Sequence, residues 1–222
     1  MVAEARESAS DGRLAHALYM QSVAHTSIGD HEQGARLADA SAHAAERSGS
    51  PTALAQSTYA SGLALATTDV AVAIDRLDRA AALADSVGNR WLRAFAMTEA
   101  MWLRAGRGEI LTALRGYRHV VDTWFQGGDW ANQWLSLRHL AGIFADVGRY
   151  EEAALLFGAV EAAGASTALP FSPADAEQIA AVAHTLNERL GPGAAAEATR
   201  RGGRMRDDAT VAAALRTIAE LT

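Results

Sequence analysis

Apolar side chains recur every three to four residues along most of this chain, which is the period of an α-helix with one buried face. The clearest example is a stripe at i, i+3, i+4 and i+7, then a glycine, then a second stripe. Its residues are Leu137, Leu140, Ala141, Phe144, Gly148, Tyr150, Ala153, Phe157 and Val160. Because glycine readily takes the left-handed conformation that ends a helix, this pattern predicts a helical hairpin.

The hairpin pattern repeats along the chain. Comparable turns are predicted at Gly29, Thr68, Gly108 and Gly148, which are 39 or 40 residues apart. A small residue follows each turn and a larger one comes four positions later. These pairs are Ala153 with Phe157, Ala113 with Tyr117, Ala73 with Leu77, and Gly34 or Ala35 with Ala38. The period overlaps that of HEAT and armadillo repeats, but the order Gly-x-Tyr-x-x-Ala-x-x-x-Phe favours a tetratricopeptide (TPR) hairpin with lengthened helices.

The pattern predicts an all-α fold: a right-handed α-solenoid of about four long TPR-like hairpins, closed by a C-terminal helical cap. The repeats are predicted over 12–165 (12–49, 50–88, 89–127 and 128–165), the cap over 172–222 and a flexible N-terminus over 1–11. Their helices are predicted at 12–28, 30–48, 51–66, 69–87, 90–105, 108–126, 129–147 and 149–164. The prolines of 166–173 predict a loop, and the cap helices are predicted at 174–190, 194–201 and 208–221.

The amino-acid composition excludes several classes of function but adds little to the fold prediction. No apolar run approaches the roughly 20 residues that span a bilayer, and no apolar signal core opens the chain, so we expect a soluble, cytoplasmic protein without membrane contact. The formal net charge of −6 disfavours direct nucleic-acid binding. The chain has no cysteine, and all 20 of its basic residues are arginine, which excludes a thiol nucleophile and a P-loop lysine.

No residue pattern points to catalysis. There is no His-Glu-x-x-His pair for a metal and no Gly-x-Ser-x-Gly elbow for a nucleophilic serine. Glu151 and Glu152 open a predicted helix, where carboxylates favour the positive end of the dipole. We therefore expect neither enzyme activity, nor a cofactor, nor a metal site.

Two segments resemble the C-terminal helical region of bacterial signal-transduction ATPase (STAND) regulators, including LuxR-type transcriptional regulators of the actinobacterial type. The last repeat is similar to their closing TPR hairpin, with Gly148-Arg149, Ala153-Ala154, Leu156 and Gly158-Ala159 in place. The tail resembles their closing segment at Gly203, Arg204 and Met205, followed by Asp207-Asp208. The resemblance implies a helical arm that senses an inducer or partner and restrains an ATPase. We expect either an excised arm or a short relative.

The first helix of each hairpin is expected to line the concave face of such a solenoid. Counting from the turns places one set of candidate ligand or partner contacts there: Tyr19, Thr58, Phe95, Thr98, Trp102 and Arg138. Grooves that grip a peptide carboxylate use several basic side chains, and this set contains a single arginine. Capture of a peptide C-terminus is therefore disfavoured.

Tryptophan and arginine mark two further candidate surfaces. All five tryptophans lie between Trp91 and Trp134, where they either fill the core or form a binding surface. Trp124, Phe125 and Trp130 surround a predicted turn and are a possible partner patch. The one basic cluster is either a docking surface for an ATPase domain or a solvated tail; it consists of Arg200, Arg201, Arg204 and Arg206.

These observations support two hypotheses. In the first, the chain is a non-catalytic interaction and regulatory module whose partner is another protein or an attached ATPase domain. In the second, it is a domain that senses a small-molecule effector in a pocket on the concave face of repeats three and four. The oligomeric state does not follow from the sequence.

Overall fold

The computed structural model describes residues 2–164 and 173–222, without the side chains of 2–9, 173–176 and 178. The predicted loop at 166–173 lies outside these residues except for Pro173. Eleven α-helices and no strand make up the described part of the chain. They are α1 (Val2–Ser27), α2 (His31–Ser48), α3 (Pro51–Leu65), α4 (Val70–Ser86), α5 (Arg90–Gly106), α6 (Ile110–Gly127), α7 (Trp130–Asp146), α8 (Tyr150–Gly164), α9 (Pro173–Leu190), α10 (Pro192–Gly202) and α11 (Asp207–Leu221). The all-α prediction is confirmed.

Most helix ends lie within two residues of the predicted positions, because local chemistry fixes them. Gly29, Gly88, Gly108 and Gly148 all have φ between +70° and +87°, a conformation that costs glycine little. The next residue often caps the following helix. Asp129, which precedes α7, accepts a hydrogen bond from the Asn132 amide at 3.2 Å.

The first helix departs from the prediction. It begins at Val2 rather than near residue 12, so the segment predicted as a flexible terminus is helical. Alanine, glutamate and arginine dominate residues 3–9, and all three are strong helix formers. The prediction of a flexible end rested on the small and polar character of these residues and did not include their intrinsic helix propensity.

The chain divides into two compact units, Met1–Arg104 and Ala105–Thr222. In the first unit, α1 packs on α2, and both helices of this hairpin contact α3, which packs on α4. Two buried serines join α1 to α2. Ser22 Oγ donates to the Gly34 carbonyl at 2.7 Å, and Ser41 Oγ donates to the Ala15 carbonyl at 2.8 Å.

In the second unit, α7 is the central helix. It contacts α6, α8, α9 and α11, and most of its side chains from Gln133 to Ala145 are buried. A helix with neighbours on all sides buries residues on every face.

The helices α8 and α10 of the second unit approach each other with their backbones in contact. A Cβ added at Gly158 would lie 2.7 Å from the Thr199 carbonyl carbon, and one at Gly202 would lie 2.8 Å from the Leu155 carbonyl carbon. Glycine is therefore required at both crossing points.

Candidate functional site

A row of aromatic rings crosses the first unit through three helices. Tyr19 of α1 lies 6.3 Å from Tyr59 of α3 between ring centroids, and Tyr59 lies 6.4 Å from Phe95 of α5 in an edge-on arrangement. Trp91, one turn before Phe95, lies 4.1 Å from it. His16 extends the row at the other end, 5.8 Å from Tyr19. Apart from the short Trp91–Phe95 separation, these spacings are typical of favourable aromatic pairs. We call these five residues the aromatic row.

The aromatic row is buried in its middle and exposed at its two ends, His16 and Trp91. Tyr19 and Tyr59 are only 6% and 5% exposed, and Phe95 is half-buried. Trp91 is 52% exposed. A partner would therefore reach the row at Trp91 and Phe95, with the tyrosines supporting these rings from behind.

Burial keeps the two tyrosines of the row uncharged. Loss of hydration raises the pKa of Tyr19 above its ordinary value and raises the pKa of Tyr59 further. The nearby Glu99 carboxylate and the Tyr19 ring add to the shift at Tyr59. Neither phenol can supply a phenolate near neutral pH, so the row offers apolar contact and not acid–base chemistry.

The two threonines predicted to line the groove use their hydroxyls within their own helices. Thr58 Oγ1 donates to the Leu54 carbonyl at 2.7 Å, and Thr98 Oγ1 donates to the Ala94 carbonyl at 2.8 Å. Both side chains are buried. Trp102 is half-buried. Thr58 and Thr98 are therefore packing residues rather than ligand donors.

Tyr59 belongs to the aromatic row but is not among the contact residues predicted from the sequence. The turn at Thr68 gave a register in which Thr58 corresponds to Tyr19, whereas Tyr59 lies 40 residues after Tyr19 and contacts it. In that register Gly62 would also face the groove, but a Cβ there would lie 2.7 Å from Leu77 Cγ of α4. The recurrence of tyrosine at 40 residues is the signal that identifies the correct alignment.

Arg138 lies in the second unit and is buried in α7, with 7% of its surface exposed. The next residue, His139, has its Nδ1 2.9 Å from the Tyr117 hydroxyl of α6. Burial, together with the positive charge of Arg138, lowers the pKa of His139 to about 3. The imidazole is thus neutral near pH 7, and its Nδ1 can accept the tyrosine proton in a hydrogen bond.

The tryptophans of the second unit divide between core and surface. Trp124, one of the three residues of the possible partner patch, is only 2% exposed and belongs to the core. Phe125 is exposed and lies 5.9 Å from the half-buried Trp130, which lies 5.9 Å from Trp134. Only Phe125 and Trp130 of the possible partner patch are accessible to a partner, because the Trp124 side chain points into the core.

The basic cluster of the tail is paired with acidic side chains. Arg200 bonds to Glu197, Arg201 lies 3.0 Å from Glu151 of α8, and Arg206 lies 3.2 Å from Asp208. These contacts pair three of the four arginines with carboxylates, although the arginine side chains stay exposed to solvent. They favour the solvated tail over a docking surface for an ATPase domain.

Comparison with known proteins adds no assignment: neither the family models nor the curated proteins searched contain a match to this chain. Within residues 2–164 and 173–222, no three His, Asp or Glu side chains come together as metal ligands. None of the helices in the same ranges has both the length and the apolar character that crossing a bilayer requires.

Proposed function

We propose that this chain is a non-catalytic protein-interaction and regulatory module, and that it is part or a relative of a STAND or LuxR-type transcriptional regulator. The observation that carries the proposal is the aromatic row of α1, α3 and α5, which reaches the surface at Trp91. An exposed tryptophan supported by further rings combines a large apolar contact area with low side-chain entropy, as binding hot spots do.

The proposal includes a finer description of the fold, namely a right-handed TPR-like solenoid. Its support is the recurrence of hairpins at 39–40 residues and, in the first unit, the packing of each helix on the next from α1 to α4. The aromatic row would then follow the first helices across successive repeats.

The proposed mechanism is differential binding in the cytoplasm. A protein partner, such as an attached or separate ATPase domain, inserts an apolar side chain beside Trp91 and Phe95. If one conformation of the regulator presents these rings better than another, the partner shifts the equilibrium toward it. No chemical step is required of this chain.

The first experiment measures binding of a separately expressed STAND-type ATPase domain by titration against the full chain. We expect Trp91→Ala to weaken binding at least about tenfold, since loss of a hot-spot side chain costs more than about 1.4 kcal/mol. Leu111→Ala is the matched control, because Leu111 is 53% exposed but lies outside the row. Equal affinities for wild type and Trp91→Ala would contradict the proposal.

The small-molecule hypothesis is tested on the same protein with a metabolite panel. Tryptophan fluorescence and thermal melting report binding, and the Trp91→Ala variant shows whether the row is involved. A response to a metabolite without any response to the ATPase domain would replace the interaction module by an effector sensor. If neither a metabolite nor the ATPase domain gave a response, the aromatic row would not be a binding site.

A further inference from the structure

One side of α1 carries exposed residues without charge. We define the outer face of α1 by Leu14, Ala17, Met20, Ala24 and Ile28, all of which are exposed. Met20 is 52% and Ile28 79% exposed. The sequence from Leu14 to Gly29 contains no Asp, Glu, Lys or Arg, whereas an ordinary solvated helix face is charged. Depletion of charge over an exposed apolar surface is typical of the core of an interface.

The corresponding face of α3 is buried. Ser57, Ala60 and Ala64, which lie 40 residues after Ala17, Met20 and Ala24, are at most 2% exposed. Their face points away from α4, since Gly62, about half a turn around the helix, meets Leu77 of α4.

The structure also shows what covers that face of α3. Ala53 begins the same stripe, one turn before Ser57, and forms one buried cluster with Ala44 and Ala45 of α2 and Ala15 of α1. The helices α2 and α3 pack against each other. The second helix of one hairpin therefore covers this stripe on the first helix of the next.

We infer that the outer face of α1 receives the second helix of another hairpin of this 40-residue type, in the position that α2 takes on α3. Ala17 and Ala24 leave the same room for a close helix as Ser57 and Ala64 do. Met20 replaces Ala60 and can adapt its flexible side chain to the incoming surface. Arg13, in the place of Ala53, would lie near the C-terminal end of the incoming helix, whose dipole favours a cation.

The inference concerns the repeat architecture and does not rest on the proposed function. Trp91 lies on α5 and the outer face on α1, so loss of ligand binding in Trp91→Ala would leave the outer face unaffected. The proposed occupant is a helical hairpin with small residues along its second helix, of the kind formed by α1 and α2.

The test supplies such a hairpin to the full chain. In a tandem protein, residues 1–49 are followed directly by 10–222, so that Ser10 takes the place that Ser50 has before α3. The upstream copy carries Met20→Leu, so that any oxidation measured at position 20 comes from the downstream copy. We expect its oxidation by hydrogen peroxide to slow at least about tenfold relative to the natural chain, because a buried thioether is protected, and the melting temperature to rise.

Two variants of the tandem protein sharpen the result. Met20→Glu in the downstream copy should abolish the rise in melting temperature, because the charge would be buried under the added hairpin. Leu111→Glu, at an equally exposed apolar residue elsewhere, should leave the rise intact. An unchanged Met20 oxidation rate in the tandem protein would overturn the inference.

Sedimentation of the natural chain provides the remaining outcome. We expect no association through α1. A dimer that Met20→Glu dissociates would make a second copy of this chain the occupant of the outer face, and the inference of a further hairpin would then be wrong.

Discussion

The helices α1 and α7 each begin a hairpin, yet they are buried to very different extents. Over the part of α1 whose side chains the structure describes, the buried residues form one stripe, Ala15, Tyr19 and Ser22. In α7, residues are buried around the whole circumference, including Gln133, Arg138 and His139. The difference arises from their neighbours, because α1 packs against α2 and α3 whereas α7 contacts four helices.

The comparison shows where each region can carry function. Several polar side chains are buried inside the second unit, and His139 pairs there with Tyr117, so changes at these positions act on stability first. The first unit keeps apolar residues at its surface on α1 and at Trp91. Substitutions at these exposed residues are expected to affect association with a partner before they affect stability.

The largest expected effect on stability is at the crossing of α8 and α10. Gly158→Ala forces a Cβ into the Thr199 backbone, and we expect the free energy of unfolding to fall by about 3 kcal/mol or more, at the upper end for overpacking. Gly12→Ala in α1 is the matched control. Its Cβ would meet Ser48 Cβ at an ordinary 3.8 Å, so helix propensity should stabilise it by about 0.5–1 kcal/mol. Urea denaturation measures both, and equal effects would contradict the close approach.

An intermediate effect is expected from acid on the interior of the second unit. The pKa of His139 is lowered to about 3, from about 6.5 in the unfolded chain. A lowered histidine pKa means that unfolding takes up a proton, so stability is lost as pH falls below about 6.5 and the loss is complete near pH 3. At pH 4.5 this contribution reaches about 3 kcal/mol.

The histidine variant isolates that contribution. His139→Gln should be less stable than wild type at pH 7.5, but it should lose about 2 kcal/mol less than wild type between pH 6.5 and pH 4.5. His184→Gln, at an exposed position of α9, should follow the wild-type curve. Parallel urea-denaturation curves for wild type and His139→Gln would show that the imidazole is not buried in its neutral form.

The smallest expected effect is in the α1–α2 hairpin. Ser41→Ala removes the bond to the Ala15 carbonyl, and we expect a loss of about 1 kcal/mol, since that carbonyl keeps its helical partner. Ser41→Val lacks the donor and places two more methyl groups than alanine at a fully buried site, so it should be no more stable than the alanine variant. A loss above about 3 kcal/mol in Ser41→Ala would show that the hairpin depends on this one bond.

Prediction from the sequence succeeded where the chemistry is local. Helix ends at Gly148 and Asp129 depend on residues within one turn, so the letters and their spacing are sufficient. The aromatic row was predicted only in part. Tyr19 and Phe95 were named, whereas Tyr59 required the alignment of α1 with α3, and the exposure of Trp91 required the whole of the first unit.

The sequence by itself determined that the chain is all-α and where most of its helices begin and end. Caps, glycines with positive φ and the apolar period act within four residues along the chain. Only the tertiary structure decided which faces are covered, why Trp124 is buried, and that Gly158 and Gly202 lie at a helix crossing. Tertiary contacts join residues far apart in sequence, such as Arg149 and Glu220, which are 71 positions apart, and periodicity along one helix does not specify its partners.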